Sequence, residues 1–238
     1  MAAEVSVLSY NVRSLRDDLG ALARVVRACA PDVLCVQEAP RFFRWRRHAA
    51  RLGRATGLMY VTGGAPTCGT MIMADPRARV ERTADLPMPL TPGLHRRALS
   101  AAVLRFGGAA RLGVISFHLS LEEEERWSQG GLLLSELRRL GAPAAVAAGD
   151  VNERPGGRTF RRLAGELQDG WAVAPGGGGP TYPSTGPHKR IDAVLCTAAV
   201  EVTGCGVPVE LPGARADDPA RATDHLPVLA TLRIPDPG

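Results

Sequence analysis

The feature that most constrains this chain is a run of small apolar residues, 144–148, that ends in Gly149 and is followed by Asp150 and Asn152. A continuous apolar run without a polar face predicts a strand that is covered on both sides. The turn-forming residues 154–157 follow directly, so the acid and the amide lie on a tight loop at the carboxyl end of that strand. In α/β proteins this edge of the sheet carries the chemistry. Asp and Asn are also favoured in ordinary turns, so the motif alone leaves a structural interpretation open.

The same arrangement, an apolar run with a polar residue at one end, recurs along the chain. Further runs end in polar groups near residues 11, 38 and 118, and two later runs, 193–196 and 228–234, start just after polar residues. If these last two strands run antiparallel to their neighbours, all the polar ends lie on one rim of mixed sheets. The residues expected on that rim are Asn11, Glu38, His118, Asp150, Asn152, Asp192, Asp224 and His225.

The chain is expected to form one domain spanning residues 1–238, because 45% of it is hydrophobic and no repeat or composition shift divides it. Apolar spacing predicts helices over 17–30, 41–56, 122–140 and 158–167. Further strands are predicted over 5–10, 33–36, 59–62, 70–73, 79–83, 98–105, 112–117 and 200–209, with loops over 87–92 and 212–222 and a frayed tail over 235–238. A hairpin is predicted at Gly107-Gly108, and the pair Gly130-Gly131 is an unfavourable sequence within the helix predicted over 122–140.

Composition narrows the classes of function. Neither a membrane span nor a secretory signal is expected, since the apolar runs are strand-length and the chain begins without a basic n-region. Five cysteines without C-x-x-C spacing predict reduced, buried thiols in a cytoplasm and argue against a zinc site or disulfide frame.

The charge of +5 permits a nucleic-acid substrate without arguing for one, because all but one of the 29 basic residues are arginine, which is typical of coding bias. We interpret the 5% of aromatic residues as not interleaved with the arginines, which argues against a stacking platform for single strands. The predicted helix over 41–56 carries Phe42, Trp45, Ala49 and Leu52 on one side. We interpret its arginines as a solvated face, with contact to substrate as the alternative.

Four carboxylates on one rim would repel strongly. At ~4 Å and an effective dielectric of about 20, each like-charged pair costs on the order of 4 kcal/mol. A divalent cation removes this repulsion, and carboxylate and amide oxygens favour Mg²⁺ or Mn²⁺ over zinc. Asp192 interrupts the apolar strand Ile-Asp-Ala-Val-Leu and needs a partner, which the ring of His225 could provide. Such a pair suits a general base or a phosphate-stabilising imidazolium.

Each of these residues also has a structural interpretation. Glu38 could cap the next helix, Asn11 could close a turn, and His118 could be an ordinary strand-end histidine. Residues 224–225, just before Pro227, could form a simple turn. It is improbable that all of these structural interpretations hold at once, so we favour a shared site.

Six short pieces stand in a fixed order: residues 8–12 (LSYNV), 36–38 (VQE), 116–119 (SFHL), 149–152 (GDVN), 190–192 (RID) and 223–228 (TDHLPV). Over essentially the whole chain this set resembles the endonuclease/exonuclease/phosphatase superfamily, which has a DNase I-like fold, and its bacterial metal-dependent hydrolase branch. The resemblance implies a four-layer α/β sandwich with two packed mixed β-sheets flanked by helices. It also implies Mg²⁺-dependent in-line attack of water on a phosphate ester.

By matching position, the resemblance assigns roles to the rim residues. It implies metal ligands Asn11, Glu38 and Asp224, catalytic residues His118, Asp150, Asn152, Asp192 and His225, and a phosphate contact from Arg97. Asp150 would orient or deprotonate the attacking water, and Asn152 would anchor phosphate or water. His225, held by Asp192, would stabilise the phosphorane or transfer a proton, and which group is the base stays open. His118 would stabilise the phosphate or assist the leaving oxygen.

We therefore expect a divalent-metal-dependent phosphodiesterase, with nucleic acid as one candidate substrate and no obligate protein partner. The alternatives are a phosphomonoesterase acting on a small phosphorylated metabolite or lipid headgroup, and an inactive binding module of the same fold. His118 stands where the abasic-site endonuclease branch carries Tyr, which argues against that activity. Residues 188–192 depart from the Trp-x-Asp-Arg-Ile of the 5-phosphatase branch.

Overall fold

The fold is described from a computed structural model, which covers residues 2–108 and 110–235. Residues 236–238 of the predicted tail lie outside the described residues. The strands are β1 (Ala3–Asn11), β2 (Val33–Gln37), β3 (Met59–Gly63), β4 (Met71–Ala74), β5 (Arg79–Pro87), β6 (Ala98–Phe106), β7 (Ala110–His118), β8 (Ala145–Asp150), β9 (Gln168–Asp169), β10 (Asp192–Cys196), β11 (Glu201–Gly206) and β12 (Val228–Ile234). The helices are α1 (Leu19–Cys29), α2 (Trp45–Thr56), α3 (Glu123–Arg139), α4 (Arg158–Glu166), α5 (Gly170–Val173) and α6 (Asp218–Ala222).

The strands form two mixed sheets of six strands each. The first sheet has the order β11-β12-β1-β2-β4-β3 and the second has the order β5-β6-β7-β8-β10-β9. Two neighbouring pairs, β1 with β2 and β7 with β8, are parallel, while β12 runs antiparallel to β1 and β10 runs antiparallel to β8. These two antiparallel pairings are the arrangement on which the sequence argument depended, so the predicted common rim is possible.

Four layers result from this topology. One apolar core fills the space between the sheets, and two others lie beneath the outer helices, α1 and α2 on the first sheet and α3 and α4 on the second. Strand β8 illustrates the pattern, since Val146 and Ala148 belong to the core between the sheets and Ala145 and Ala147 to the core under the helices. The predicted sandwich of two packed mixed sheets flanked by helices is confirmed, as is a strand covered on both faces.

Close packing explains two glycine positions. A Cβ atom at Gly149 would lie 2.0 Å from the Phe117 carbonyl oxygen, so only glycine permits the approach of β7 and β8 at this point. In α3, a Cβ atom at Gly130 would lie 2.9 Å from Cγ2 of Thr159 in α4. Helix α3 runs without a break through Gly130-Gly131, in agreement with the helix predicted over 122–140, and the glycines let α4 pack closely.

The predicted start of the second helix and the predicted loop over 212–222 were wrong. Helix α2 begins at Trp45 rather than at residue 41, because Arg44 has left-handed backbone angles (φ 58°) and residues 41–44 are irregular. The predicted loop over 212–222 contains α6, whose first residue, Asp218, forms a two-pronged ion pair with Arg24 of α1 (2.6 and 2.8 Å).

All five cysteines are free, and four of them are buried. Within the described ranges, the helices lack the length and apolar character that a membrane span requires.

Candidate active site

The centre of the site is a buried row of two acids and two histidines, of which His118, Asp150 and Asp192 lie on the second sheet and His225 precedes β12 of the first. The register of its strands sets His118 beside Asp150, and Asp150 beside Asp192. His225, just before β12, places Nδ1 2.9 Å from Oδ2 of Asp192 and Nε2 3.8 Å from Oδ2 of Asp150. On the opposite side, His118 Nε2 lies 3.5 Å from the same Asp150 oxygen. Each of these four residues is less than 8% exposed, so their charges interact with little screening by water.

The first sheet joins this row through Asn11 at the end of β1. Its Nδ2 donates to Oδ2 of Asp150 (3.3 Å) and to Oε1 of Glu38 (3.2 Å), which follows the neighbouring parallel strand β2. Glu38 has left-handed backbone angles (φ 53°), a costly conformation for a residue with a side chain. Bonds from Ser14 N to Glu38 O and from Ala39 N to Gly69 O, both 2.7 Å, hold the chain in this conformation.

Asn152 belongs to the same group. Its backbone nitrogen donates to Oδ1 of Asp150 at 2.8 Å, and its side-chain Nδ2 donates to the carbonyl of Leu119 at 2.9 Å. Its φ of 56° is tolerated by asparagine better than by most residues. These bonds fix the carboxylate of Asp150 and the side chain of Asn152, which lines a cleft together with Asp150.

Asp224 and Arg97 line the same cleft, and among the described residues neither side chain forms a hydrogen bond or ion pair with the central row. The carboxylate of Asp224 lies 3.4 Å from Nε of Arg13, and Thr223 Oγ1 donates to the Asn11 carbonyl at 3.0 Å. Arg97 Nε is buried without a hydrogen-bond partner in the described part of the chain, so this guanidinium has an unsatisfied donor. The structure therefore brings the predicted residues to one cleft, with Asp224 paired to an arginine.

The cleft has a volume of about 800 Å³. Seven of the nine predicted residues line it, while Asn11 and Asp192 lie directly behind its wall. Sequence reasoning missed several other lining residues: Arg16, Arg41, Phe42, Phe43, His95, Tyr182 and Lys189. The ring of Tyr182 packs against that of His225, with centroids 4.9 Å apart.

A signal for part of this set was present in the sequence. Residues 41–47 read Arg-Phe-Phe-Arg-Trp-Arg-Arg, so aromatic residues and arginines do interleave there. The interpretation that aromatic residues are not interleaved with arginines was therefore wrong. The placement of Phe42 on the packed side of a helix was wrong too, because it lies before α2 and is 76% exposed.

A family model described as Endonuclease/Exonuclease/phosphatase family matches residues 8–225 of this chain. The protein belongs to the endonuclease/exonuclease/phosphatase family. No match was found among curated proteins.

Solved structures with the same fold include the endonuclease/exonuclease/phosphatase from Bacteroides vulgatus, with 17% identity and a TM-score of 0.77 over 98% of this chain and 100% of that one. The mannosyl-6-phosphatase of Bacteroides thetaiotaomicron is similar, with 17% identity and a TM-score of 0.77 over 96% and 99%. Truncated TDP2 from Caenorhabditis elegans has 20% identity and a TM-score of 0.69 over 96% and 97%. These identities establish the fold that the family members share.

In this family member the buried row has unusual protonation properties. Burial raises the pKa of Asp150 to about 7, and the negative charge of Asp192 adds to the effect. Burial alone would lower the pKa of His225, but the carboxylates of Asp192 and Asp150 outweigh it and raise that pKa to about 9. Burial, followed by the charge of Arg97, holds the pKa of His118 well below its usual value. At neutral pH His225 is therefore a cation and His118 is uncharged, while Asp150 is close to its pKa.

The family member offers two groups of side chains that could hold a metal ion. One is the oxygen-rich group around Glu38 and Asn11, beside which Asp224 lines the cleft. The other is Asp150, Asp192 and His225, whose candidate ligand atoms lie within 4.8 Å of one another. In the second group, the hydrogen bond between His225 and Asp192 already uses two of those atoms. In the first group, Asn11 Nδ2 donates to the Glu38 carboxylate, and Asn11 Oδ1 accepts from the backbone nitrogen of Arg13 at 3.1 Å. Carboxylate and amide oxygens are the ligand types that suit Mg²⁺ or Mn²⁺.

Proposed function

We propose that this protein is a divalent-metal-dependent phosphodiesterase that hydrolyses its substrate by in-line attack of water on phosphorus. The observation that carries the proposal is the position of Asp150. Its buried carboxylate lies within 3.8 Å of both histidines, opens onto the cleft, and has a pKa raised to about 7. A carboxylate with this pKa can accept a proton from water at neutral pH, and a buried imidazolium beside it can stabilise new negative charge.

The roles of the side chains follow from their charges. Asp150 would take the proton of the attacking water, since its pKa is matched to neutral pH. His225, kept charged by Asp192, would donate a hydrogen bond to a phosphoryl oxygen as negative charge develops there. The guanidinium of Arg97, which lines the cleft, would neutralise a second oxygen, and Asn152 would hold the water or phosphate. His118 is neutral and therefore has a single N–H, which at Nε2 would position the Asp150 carboxylate 3.5 Å away.

We further propose that Glu38 and Asn11, together with Asp224, hold the metal ion. Glu38 supports this proposal because it is only half-buried, faces the cleft and takes part in no ion pair among the described residues. When bound, Mg²⁺ or Mn²⁺ would supply positive charge that polarises the phosphoryl group. We also propose that residues 1–238 form one domain that acts in the cytoplasm, which the five free thiols support.

The experiment is a substrate panel with Mg²⁺ or Mn²⁺: plasmid DNA, single-stranded DNA, RNA, bis-p-nitrophenyl phosphate and p-nitrophenyl phosphate. We expect hydrolysis of diesters and a loss of at least ~10²-fold in kcat for Asp150→Asn. Asp217→Asn changes an exposed acid outside the cleft and should retain full activity. Cleavage confined to the monoester would contradict the proposal and favour the phosphomonoesterase. Binding of metal and nucleic acid without any turnover would favour the binding module.

A further inference from the structure

Two exposed phenylalanines line the cleft without any role in folding. Phe42 and Phe43, in the irregular segment 41–44, are 76% and 82% exposed, and Leu121 on the same cleft is 73% exposed. Single exposed apolar residues are ordinary, but three large ones lining one cleft form an apolar patch that needs an explanation. Because neither ring is buried against the rest of the protein, packing does not explain the patch.

The charges around the two rings indicate what they bind. Arg41 Cζ lies 5.1 Å from the centre of the Phe42 ring, and Arg44 Cζ lies 5.0 Å from the centre of the Phe43 ring. Arg41 also lines the cleft, as does Arg16. The patch therefore combines aromatic faces with arginine side chains, and this is the combination that binds successive bases and phosphates of a single strand.

We propose that Phe42 and Phe43 form a stacking platform for unpaired nucleobases of a single-stranded nucleic acid whose scissile phosphate lies at the Asp150 row. This inference rests on the proposed phosphodiesterase function and names its substrate class. The rings share one cleft with His118 and Asp150, so one strand lying in the cleft can place a base on the platform and a phosphate at Asp150. In a duplex the faces of the bases are covered by stacking, so an unpaired strand is the form that fits.

Comparing the binding of a strand that has bases with that of a strand without bases separates the contribution of stacking from that of charge. Fluorescence anisotropy would compare labelled oligothymidylate of about ten nucleotides with an abasic strand of the same length, since a single-strand site covers roughly 4–16 nucleotides. The protein is the Asp150→Asn variant with Mg²⁺, which binds without cleaving, with and without Phe42→Ala and Phe43→Ala. We expect the double alanine change to weaken binding of oligothymidylate at least about tenfold and binding of the abasic strand less than about twofold.

Val209→Ala provides the matched control, because Val209 is 84% exposed and lies outside the cleft. It should leave both affinities unchanged, and thermal unfolding should show that the Phe42→Ala/Phe43→Ala protein stays folded. Equal weakening for both strands, or none for either, would overturn the proposal. Binding to phosphatidylglycerol vesicles that depends on the two rings, without preference for bases over abasic sites, would also overturn it in favour of a membrane surface.

Cleavage of the same two strands by protein with an intact Asp150 tests the proposed function separately. The change of both phenylalanines should raise KM for oligothymidylate at least about tenfold and leave kcat/KM for the abasic strand within about twofold. If the unaltered protein cleaves neither these strands nor any other diester of the substrate panel but still binds oligothymidylate through the rings, the phosphodiesterase proposal fails and the platform stands. If it cleaves both strands and the rings make no difference, the platform fails and the phosphodiesterase stands.

Discussion

His225 is the residue whose charge depends most directly on one neighbour. Its Nδ1 lies 2.9 Å from the buried carboxylate of Asp192, and the pKa of the ring is raised to about 9 despite burial. We expect the His225 ring of the metal-free protein to titrate near pH 9 in an NMR experiment. Asp192→Asn should move that titration to the ordinary value of about 6.5 or below, because burial then acts with less opposition.

The raised pKa of His225 also determines how the stability of the fold changes with pH. Since the folded pKa of His225 lies above the unfolded value, the ion pair with Asp192 stabilises the fold fully below about pH 6.5. This stabilisation is lost as the pH rises through about 9. The neutral His118 gives an internal comparison, because its ring should show no charged form near pH 7. A His225 ring that titrates near pH 6.5 in the unaltered protein would contradict this account.

Asp150 is the residue at which activity and stability are expected to conflict. Burial and Asp192 raise its pKa to about 7, so the ionised carboxylate becomes increasingly unfavourable to the fold as the pH rises from about 4 to about 7. Asp150→Asn keeps the shape and an acceptor for the Asn152 amide while removing that charge. We therefore expect the variant to lose at least ~10²-fold in kcat but to unfold at a higher temperature than the unaltered metal-free protein at pH 8.

The stability gain of Asp150→Asn should shrink at pH 5, where the native carboxyl is already protonated. Thermal unfolding in a chelating buffer at the two pH values measures this, and Asp217→Asn is the control because it changes an exposed acid. A variant less stable than the unaltered protein at pH 8 would mean that the Asp150 charge is needed for folding through its contacts with the histidines.

At the scale of single elements, a strong apolar pattern was enough to locate strands, while local backbone geometry was not visible. Strands β1, β2, β8 and β10 lie where their continuous apolar runs predicted them, because apolar runs of this length favour buried strands over helices. The start of α2 was misplaced because the apolar spacing of its sequence continues into residues 41–44, although Arg44 takes left-handed angles. The short helix α6 has too few residues for a periodic pattern, and its pairing of Asp218 with Arg24 joins residues 194 positions apart.

The contact between β7 and β8 gives a test of one glycine. In Gly149→Ala the new Cβ atom would meet the Phe117 carbonyl, a backbone group that cannot rotate away, at 2.0 Å. We expect a loss of at least ~1–3 kcal/mol in the free energy of unfolding, measured by urea denaturation, and a lower kcat because the strands part beside His118 and Asp150. Gly165→Ala in α4 is the matched change, since its Cβ atom meets open space. It should raise the free energy of unfolding by roughly 0.5–1 kcal/mol. Equal effects of the two changes would show that the close approach at Gly149 is unimportant.

At the scale of the whole molecule, the site exists only because two sheets meet. Asn11 and Glu38 come from the first sheet, while His118, Asp150 and Asp192 come from the second. One assumption about strand direction was sufficient to predict this convergence from sequence, because apolar runs reveal strands and their polar ends mark a rim. Sequence could not give the shape of the cleft or its Phe42 and Phe43 lining, since exposure of these rings depends on a four-residue segment without periodic signal.

A metal ion at Glu38 should stabilise the whole fold, because Asn11 bonds both to that carboxylate and to Asp150 of the other sheet. At about 100 times its dissociation constant, Mg²⁺ or Mn²⁺ should raise the free energy of unfolding by ~2.7 kcal/mol. Glu38→Gln should remove most of this increase, whereas Glu210→Gln, a change at an exposed site outside the cleft, should retain it. Asp192→Asn tests the alternative donor group of Asp150, Asp192 and His225 and should also retain the increase. Thermal unfolding with and without metal measures the increase in stability for all three variants. If Asp192→Asn loses the increase and Glu38→Gln retains it, the metal binds at Asp150, Asp192 and His225 instead.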